Sequence, residues 1–372
     1  MNHRFASLKR RPAALLLATV ALLAACGDDD PVDPGDDRPF FQGTDSDPQI
    51  GLVVNSLDNT LGLFQVGNPI ESREVALGAS SAVTPTGIIV GSRNLAVPLG
   101  NAASIALIDP ATLRIDRFFL FPSGNATGSA FTDDGALLVA NLLDDQVGRA
   151  TLEQESNEIS DLVSVTPAPT DIEIVDGRAL VVSGNLDESF SPLGEGVVTA
   201  LNPTSLEVLG TVSTGGNNPS AAAAGPDGLL YVVNTGDFVS PATLAIIDPV
   251  TLQRLDLIEN AGVGAGAISV DGDGLAYISG FFLGTIVFDT VTRTWLRGSD
   301  DPVCAPLEGG GCRGAFDAVA AADGQLYQTF FGSPSDGLPP YLFVYEADTF
   351  TLVDSIPTGQ GPSAARIAVF EP

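Results

Sequence analysis

The 372 residues hold one histidine, three cysteines and 46 acidic residues, and these set what chemistry is open to the chain. The histidine is His3, inside an N-terminal segment that reads as a cleaved export signal. Once that segment is removed, no imidazole remains. Ser-His-Asp and Cys-His nucleophilic catalysis, histidine-ligated zinc and axial-histidine haem are then all excluded. Carboxylates with a bound Ca or Mg ion would still permit hydrolysis, for example of a lactone. Asp171, Asp187, Glu188 and Asp237 are the candidates for such a site. Cys304 and Cys312 sit in the glycine-rich stretch PVCAPLEGGGCRG. In an exported chain the expected product is a disulfide, which for so short a loop contributes roughly 2–3 kcal/mol. A redox or metal-binding pair is the alternative, but there is no CxxC spacing and no third ligand.

The first 25 residues explain the remaining cysteine. Arg4, Lys9, Arg10 and Arg11 precede an apolar run, Pro12 to Leu23, and small residues lead to Cys26. The run falls short of the roughly 20 residues a spanning helix needs. Leu23-Ala24-Ala25-Cys26 resembles the lipobox of bacterial lipoproteins, which implies a lipid-modified, palmitate-bearing Cys26 as first mature residue, anchored in the bilayer. Gly27 in place of Asp after that cysteine resembles outer-membrane sorting. The expected address is therefore the bacterial cell envelope, lipid-anchored, at the outer membrane and facing periplasm or surface. Residues 26–49 are dominated by Asp, Pro and Gly and read as a disordered acidic tether. A calcium site built from these aspartates is the alternative.

Charge narrows the partners. After residue 25 the chain keeps 12 arginines against all 46 acidic residues, a net charge of −34. Nucleic acid needs a basic footprint and is an unsuitable partner.

The elements that must position any site repeat. Asp134-Gly135, Asp176-Gly177, Asp227-Gly228, Asp273-Gly274 and Asp323-Gly324 each follow one strand-like run and precede another, with a looser copy at Gly91-Ser92-Arg93-Asn94. The residue pairs are those of two-residue hairpin turns. A second turn recurs at Asp109-Pro110, Asn202-Pro203, Asp248-Pro249, Asp289-Thr290 and Glu346-Ala347. Successive glycines lie 42 to 51 residues apart, the length of one four-stranded propeller blade. Six units start near Thr86, Thr127, Thr170, Ser220, Ala265 and Ala315. The lone last strand, 365–370, completes a seventh blade with three strands at 50–55, 61–66 and 73–77. The expected fold is an all-β, seven-bladed β-propeller over residues 50–372, a monomer with no free sheet edge at the closure.

Tyr231-Val232-Val233-Asn234 closely matches the YVTN signature of a bacterial seven-bladed propeller repeat family. Val53-Val54-Asn55, Val139-Ala140-Asn141 and the looser Val182-Ser183-Gly184-Asn185 are related endings. The chain resembles that family over residues 50–372. The resemblance implies the fold but no one activity, since the family includes scaffolds, binding proteins and enzyme domains. Tyr277-Ile278-Ser279-Gly280 and Tyr327-Gln328-Thr329-Phe330 depart from the signature.

Strand alternation puts the Asp-Gly and Asp-Pro turns on one face. Length variation falls on the other, in 185–195, 235–242, 298–314 and 331–340. That face is the expected binding surface for an envelope protein, peptide or glycan. Its candidate contacts are Asp187, Glu188, Phe190, Asp237, Phe238, Phe281, Phe282, Phe331, Asp336 and Tyr341. Catalytic residues are not assigned, and no cofactor is expected beyond a possible Ca or Mg ion.

Overall fold

The computed structural model describes residues 49–369 apart from 67, 93, 111, 308–310 and 334–336. The expected export signal, Cys26, the expected tether up to residue 48 and Asp336 lie outside the described residues, while Gln49 already belongs to the first strand. Every described element of regular structure is a strand, and the strands form seven four-stranded antiparallel sheets. The fold is a seven-bladed β-propeller. Blade one combines Gln49–Asn55, Thr60–Gln65 and Asn68–Ala76 with the last strand, Pro362–Val369, which pairs Ala365 with Val53 and Ile367 with Gly51. Blades two to seven take 89–120, 126–164, 169–213, 219–258, 265–297 and 318–357 in order.

The apolar residues explain the ring. Seven hydrophobic clusters are present among the described residues, each filled from two neighbouring blades, the last joining blade seven to blade one. Alternate residues of one strand enter different clusters. In Leu230–Asn234, Leu230 and Val232 pack toward blade four, while Tyr231 and Val233 pack toward blade six. Second and third strands are therefore buried on both sides and read as continuous apolar runs. Fourth strands such as Val208–Ser213 are largely exposed.

The turns differ from the expectation in one detail. Of the five Asp-Gly turns, Asp176-Gly177 is the two-residue hairpin, with Val175 opposite Arg178 and both turn residues at positive φ. In blades three, five, six and seven the loop has three residues. In blade five the Gly225 and Leu229 backbones pair around Pro226-Asp227-Gly228, and Gly228 takes φ +76°. A three-residue loop ending in a left-handed glycine suits the strand twist as well as a two-residue one. An aspartate in or just before the loop reaches inward: Asp227 Oδ2 accepts from Tyr231 Oη at 2.7 Å, and Asp271, which precedes the blade-six loop, accepts at Oδ2 from Tyr277 Oη at 2.9 Å. The second turns are tied by Asp248, Asn202 and Asp289, whose side chains each accept two backbone N–H groups.

The signature asparagines also have structural work. Asn55, Asn141 and Asn234 are buried at the ends of second strands. Each lies under a glycine of the loop leading to an inner strand, respectively Gly359, Gly124 and Gly216, and a Cβ on any of these would sit within 2.7 Å of the asparagine.

Two glycines separate local from global cost. A Cβ on Gly228 would meet nothing within 4 Å, so Gly228→Ala is expected to cost only its left-handed backbone, about 1 kcal/mol. A Cβ on Gly128 would lie 2.2 Å from the Asp171 Cα of the next blade. Gly128→Ala is expected to cost about 3 kcal/mol through forced separation of blades three and four. Denaturant midpoints of the two variants check this; equal losses would show that the blades do not meet as closely as described.

Candidate functional site

Seven inner strands surround a central cavity of about 790 Å³. Its wall is built mostly from small residues, such as Gly87, Gly128, Ala221, Gly266, Ala267 and Ala364. Small side chains are what the convergence of seven strands requires. Near the long-loop end, hydroxyls tie blades three to six in succession: Thr127 Oγ1 donates to the Pro169 carbonyl at 3.0 Å, Thr170 Oγ1 to Pro219 at 3.2 Å and Ser220 Oγ to Gly266 at 3.0 Å. At the opposite end Ile89, Val90, Phe131, Ile174 and Ile367 give an apolar lining.

Four charged residues interrupt this wall. Asp171 and Glu173 belong to the inner strand of blade four, Pro169–Val175. Asp317 stands just before the inner strand of blade seven, Ala318–Ala320, and Arg366 lies on that of blade one. Both aspartates clamp blades. Asp171 accepts from its neighbour Ile172 N at 2.9 Å and from Ala222 N of blade five at 2.9 Å. Asp317 does the same with Ala318 N at 2.9 Å and Ala365 N of blade one at 3.1 Å. Arg366 Nη1 adds an ion pair to Asp317 Oδ2 at 2.6 Å. Glu173 makes no hydrogen bond or ion pair. Burial pushes the Asp171 carboxyl up to about 6 against its two backbone donors, and burial together with the Asp171 charge pushes Glu173 up to about 8. Burial works against the Arg366 charge, but the carboxylates of Asp317, Asp171 and Glu173 together more than offset it.

The residues singled out in the sequence divide into three groups. Phe281 and Phe282 stack edge-to-face with centroids 4.8 Å apart, and the chain of rings continues through Phe316 at 5.2 Å to Phe331 at 4.7 Å. Phe281, Phe316 and Phe238 line the mouth of the cavity. Phe190, Phe238, Phe281 and Phe282 are exposed by 55, 58, 48 and 73%. Phe190 and Phe238 also hold left-handed backbones, φ 59° and 61°. A second group builds the loops. Asp187 Oδ1 accepts from Ser189 N and Ser191 N. Asp237 Oδ1 accepts from Val239 N and Ser240 N, which hold its carboxyl below the usual range. Glu188 is exposed beside Asp187. The third group is Tyr341, which starts the third strand of blade seven with its ring 5.7 Å from Phe343 and packs against the cluster between blades six and seven. Asp171 sits in the channel, away from the loops that carry Asp187, Glu188 and Asp237. Among the described residues no three acidic or cysteine side chains gather to hold a metal ion. Cys304 and Cys312 are bonded to each other.

Glu173, Asp317, Arg366 and Phe316 were missed by the sequence reading. The signal for them is a break in pattern. Inner strands start Pro-Thr or Pro-Ser at 85, 169, 219 and 362, while blade seven has Ala315-Phe316-Asp317. Charged residues on inner strands that otherwise carry small or apolar ones are the second break.

The chain matches no known family, and no curated protein matches its sequence. Among solved structures it is similar to a chain of hydrazine synthase from Kuenenia stuttgartiensis, with 14% identity, a TM-score of 0.59, and coverage of 79% of this chain and 97% of that one. At that identity the likeness concerns the propeller fold alone.

The channel carboxyls make stability depend on pH. The folded Glu173 carboxyl titrates near 8, above its unfolded value of 4.5, so the folded state binds the extra proton between those values. Its stabilising contribution is complete below about pH 4.5 and is lost as pH rises through 8. Glu173→Gln is expected to raise the melting temperature at pH 8 relative to the parent by an amount worth on the order of 2 kcal/mol, and to change little at pH 5. A parent and variant with parallel melting profiles across that range would disprove the assignment.

Proposed function

We propose that this propeller is a non-enzymatic binding or scaffold module of the bacterial cell envelope, tethered by a lipidated Cys26 and meeting a protein, peptide or glycan through its long-loop face. The observation that carries the reading is the exposure of Phe190, Phe238, Phe281 and Phe282 on the long-loop face, with Phe238 and Phe281 at the channel mouth. Several exposed aromatic side chains on one face are unusual on a surface with no partner and supply contact area at low entropic cost. The opposite face presents short turns.

The YVTN-type repeat and the lipobox agree with this reading from the sequence side, and a propeller fold is consistent with a module that works by contact. The hydrolase alternative gains no support from the geometry. Two of its carboxylates, Asp187 and Asp237, are occupied with backbone N–H groups of their own loops, and Asp171 clamps two blades.

The test is crosslinked capture from native envelopes. Serine at Phe190, Phe238, Phe281 and Phe282 together is expected to remove at least nine-tenths of a captured partner, as loss of about 1.4 kcal/mol or more would. Serine at Val250 and Val291, exposed on the opposite face, is expected to leave capture unchanged. Capture that survives the first change or falls equally with the second would overturn the reading. Cys26→Ser is expected to move the protein from the membrane to the soluble fraction, with membrane retention counting against the anchor.

A further inference from the structure

The cavity described above holds more negative than positive charge, and its one cation is already engaged. Arg366 is bound to Asp317 on one side of the channel. Blade four lies across the ring from blade one, with two blades between them one way round and three the other. On blade four Asp171 and Glu173 face the cavity and feel the Arg366 charge, but neither forms an ion pair with it, and Glu173 makes no hydrogen bond among the described residues. Ionising Glu173 there without an ion-pair partner is costly, so a second cation in the cavity would favour its charged form.

The surroundings say what kind of cation fits. A bare metal ion would find too few ligands, since no three acidic side chains converge among the described residues. A cavity of about 790 Å³ falls in the range of small organic ligands. Its wall of glycine, alanine and isoleucine offers apolar contact to an alkyl stem. Its entrance is edged by Phe281 and Phe316, and aromatic faces attract ammonium groups.

We propose that the central channel is a binding site for an alkylammonium group, admitted past Phe281 and Phe316, with its charged head at the carboxylate of Glu173 beside Asp171. The group can belong to a free diamine or to a lysine side chain of a bound peptide. The inference rests on the binding-face reading only in taking the long-loop mouth as the entrance.

Proton linkage gives an independent readout. The titrating and charged groups around the head are Asp171, Glu173, Asp317 and Arg366. A cation at Glu173 favours its ionised form, so binding releases a proton below pH 8 and strengthens as pH rises from 6 to 8.

The experiment is calorimetric titration of the full chain with 1,5-diaminopentane at about 0.15 M salt, where exposed charges are screened. Saturable one-to-one binding with proton release is expected. Glu173→Gln is expected to weaken it by about tenfold or more, the loss of one charge-assisted contact, and to abolish the proton release. Phe281→Ala is expected to weaken it several-fold with proton release intact, and serves if the first variant does not fold. A lysine-terminated tripeptide, titrated in parallel, separates the two sources: tighter binding of the peptide assigns a partner's lysine, tighter binding of the diamine assigns a free amine. No saturation, equal heats from parent and Glu173→Gln, or one-for-one displacement of the diamine by calcium would overturn the proposal. Serine at Phe190, which is exposed and not part of the cavity lining, leaves diamine binding unchanged even where a macromolecular partner is lost, so failure of the channel site and failure of the binding face are told apart.

Discussion

Seven sheets close into a ring only if their inner edges come within bonding distance, and the rest of this structure depends on how that approach is held. Inner strands of neighbouring blades do not pair as a sheet. Their edge groups would face an open channel without the side chains that reach across. Asp171 bridges blade four to blade five and Asp317 bridges blade seven to blade one, each accepting a backbone N–H from the next strand. Threonine and serine hydroxyls do the reverse, donating to the next strand's carbonyl. Glycine at 128 leaves room for this contact. With the edges held, the seven inter-blade clusters are sealed, and alternate residues of each strand can be apolar on both faces.

The candidate site is a by-product of the same constraint. Two of the clamps are carboxylates, so they bring charge into a narrow space. One is compensated by Arg366, which lies on the strand that completes the ring. The other stands beside Glu173, which clamps nothing. Structure and function thus meet in one strand of seven residues: Asp171 serves the ring, and Glu173, two positions further and on the same side, is free to serve a ligand. At the mouth a similar division holds. Asp187 and Asp237 shape their loops, and the aromatic residues near them, Phe190 and Phe238, are left at the surface.

Much of the architecture was legible in the sequence because it is written in local turn chemistry. Asp-Gly and Asp-Pro pairs at regular spacing mark hairpins whatever lies around them, and a leftover strand at each end of the propeller domain implies closure between them. The three-residue form of most first turns was not legible, since both loop lengths use the same left-handed glycine. The aromatic mouth was partly legible from loop length, and Phe316 escaped because it sits at a strand start and not in a long loop. Tyr341 was placed on the face by its position after a long loop, while its partner Phe343 draws it toward the core. The channel charges were the least legible. Asp171, Asp317 and Arg366 are distant in sequence, and their meeting depends on ring geometry that no single repeat contains.

The pairing of Pro362–Val369 with Gln49–Asn55 also bears on how the molecule is made. Contacts that join the two ends of a long chain are the slowest to find, because the intervening segment must be brought around first. Six blades can form from consecutive residues as they are synthesised. Blade one alone has to wait, holding a bare strand edge until residues 362–369 arrive. During that interval the nascent chain carries a surface suited to intermolecular strand pairing. Helper proteins that shield extended edges would find their target there, and a chain interrupted within residues 362–369 would give a ring that cannot shut.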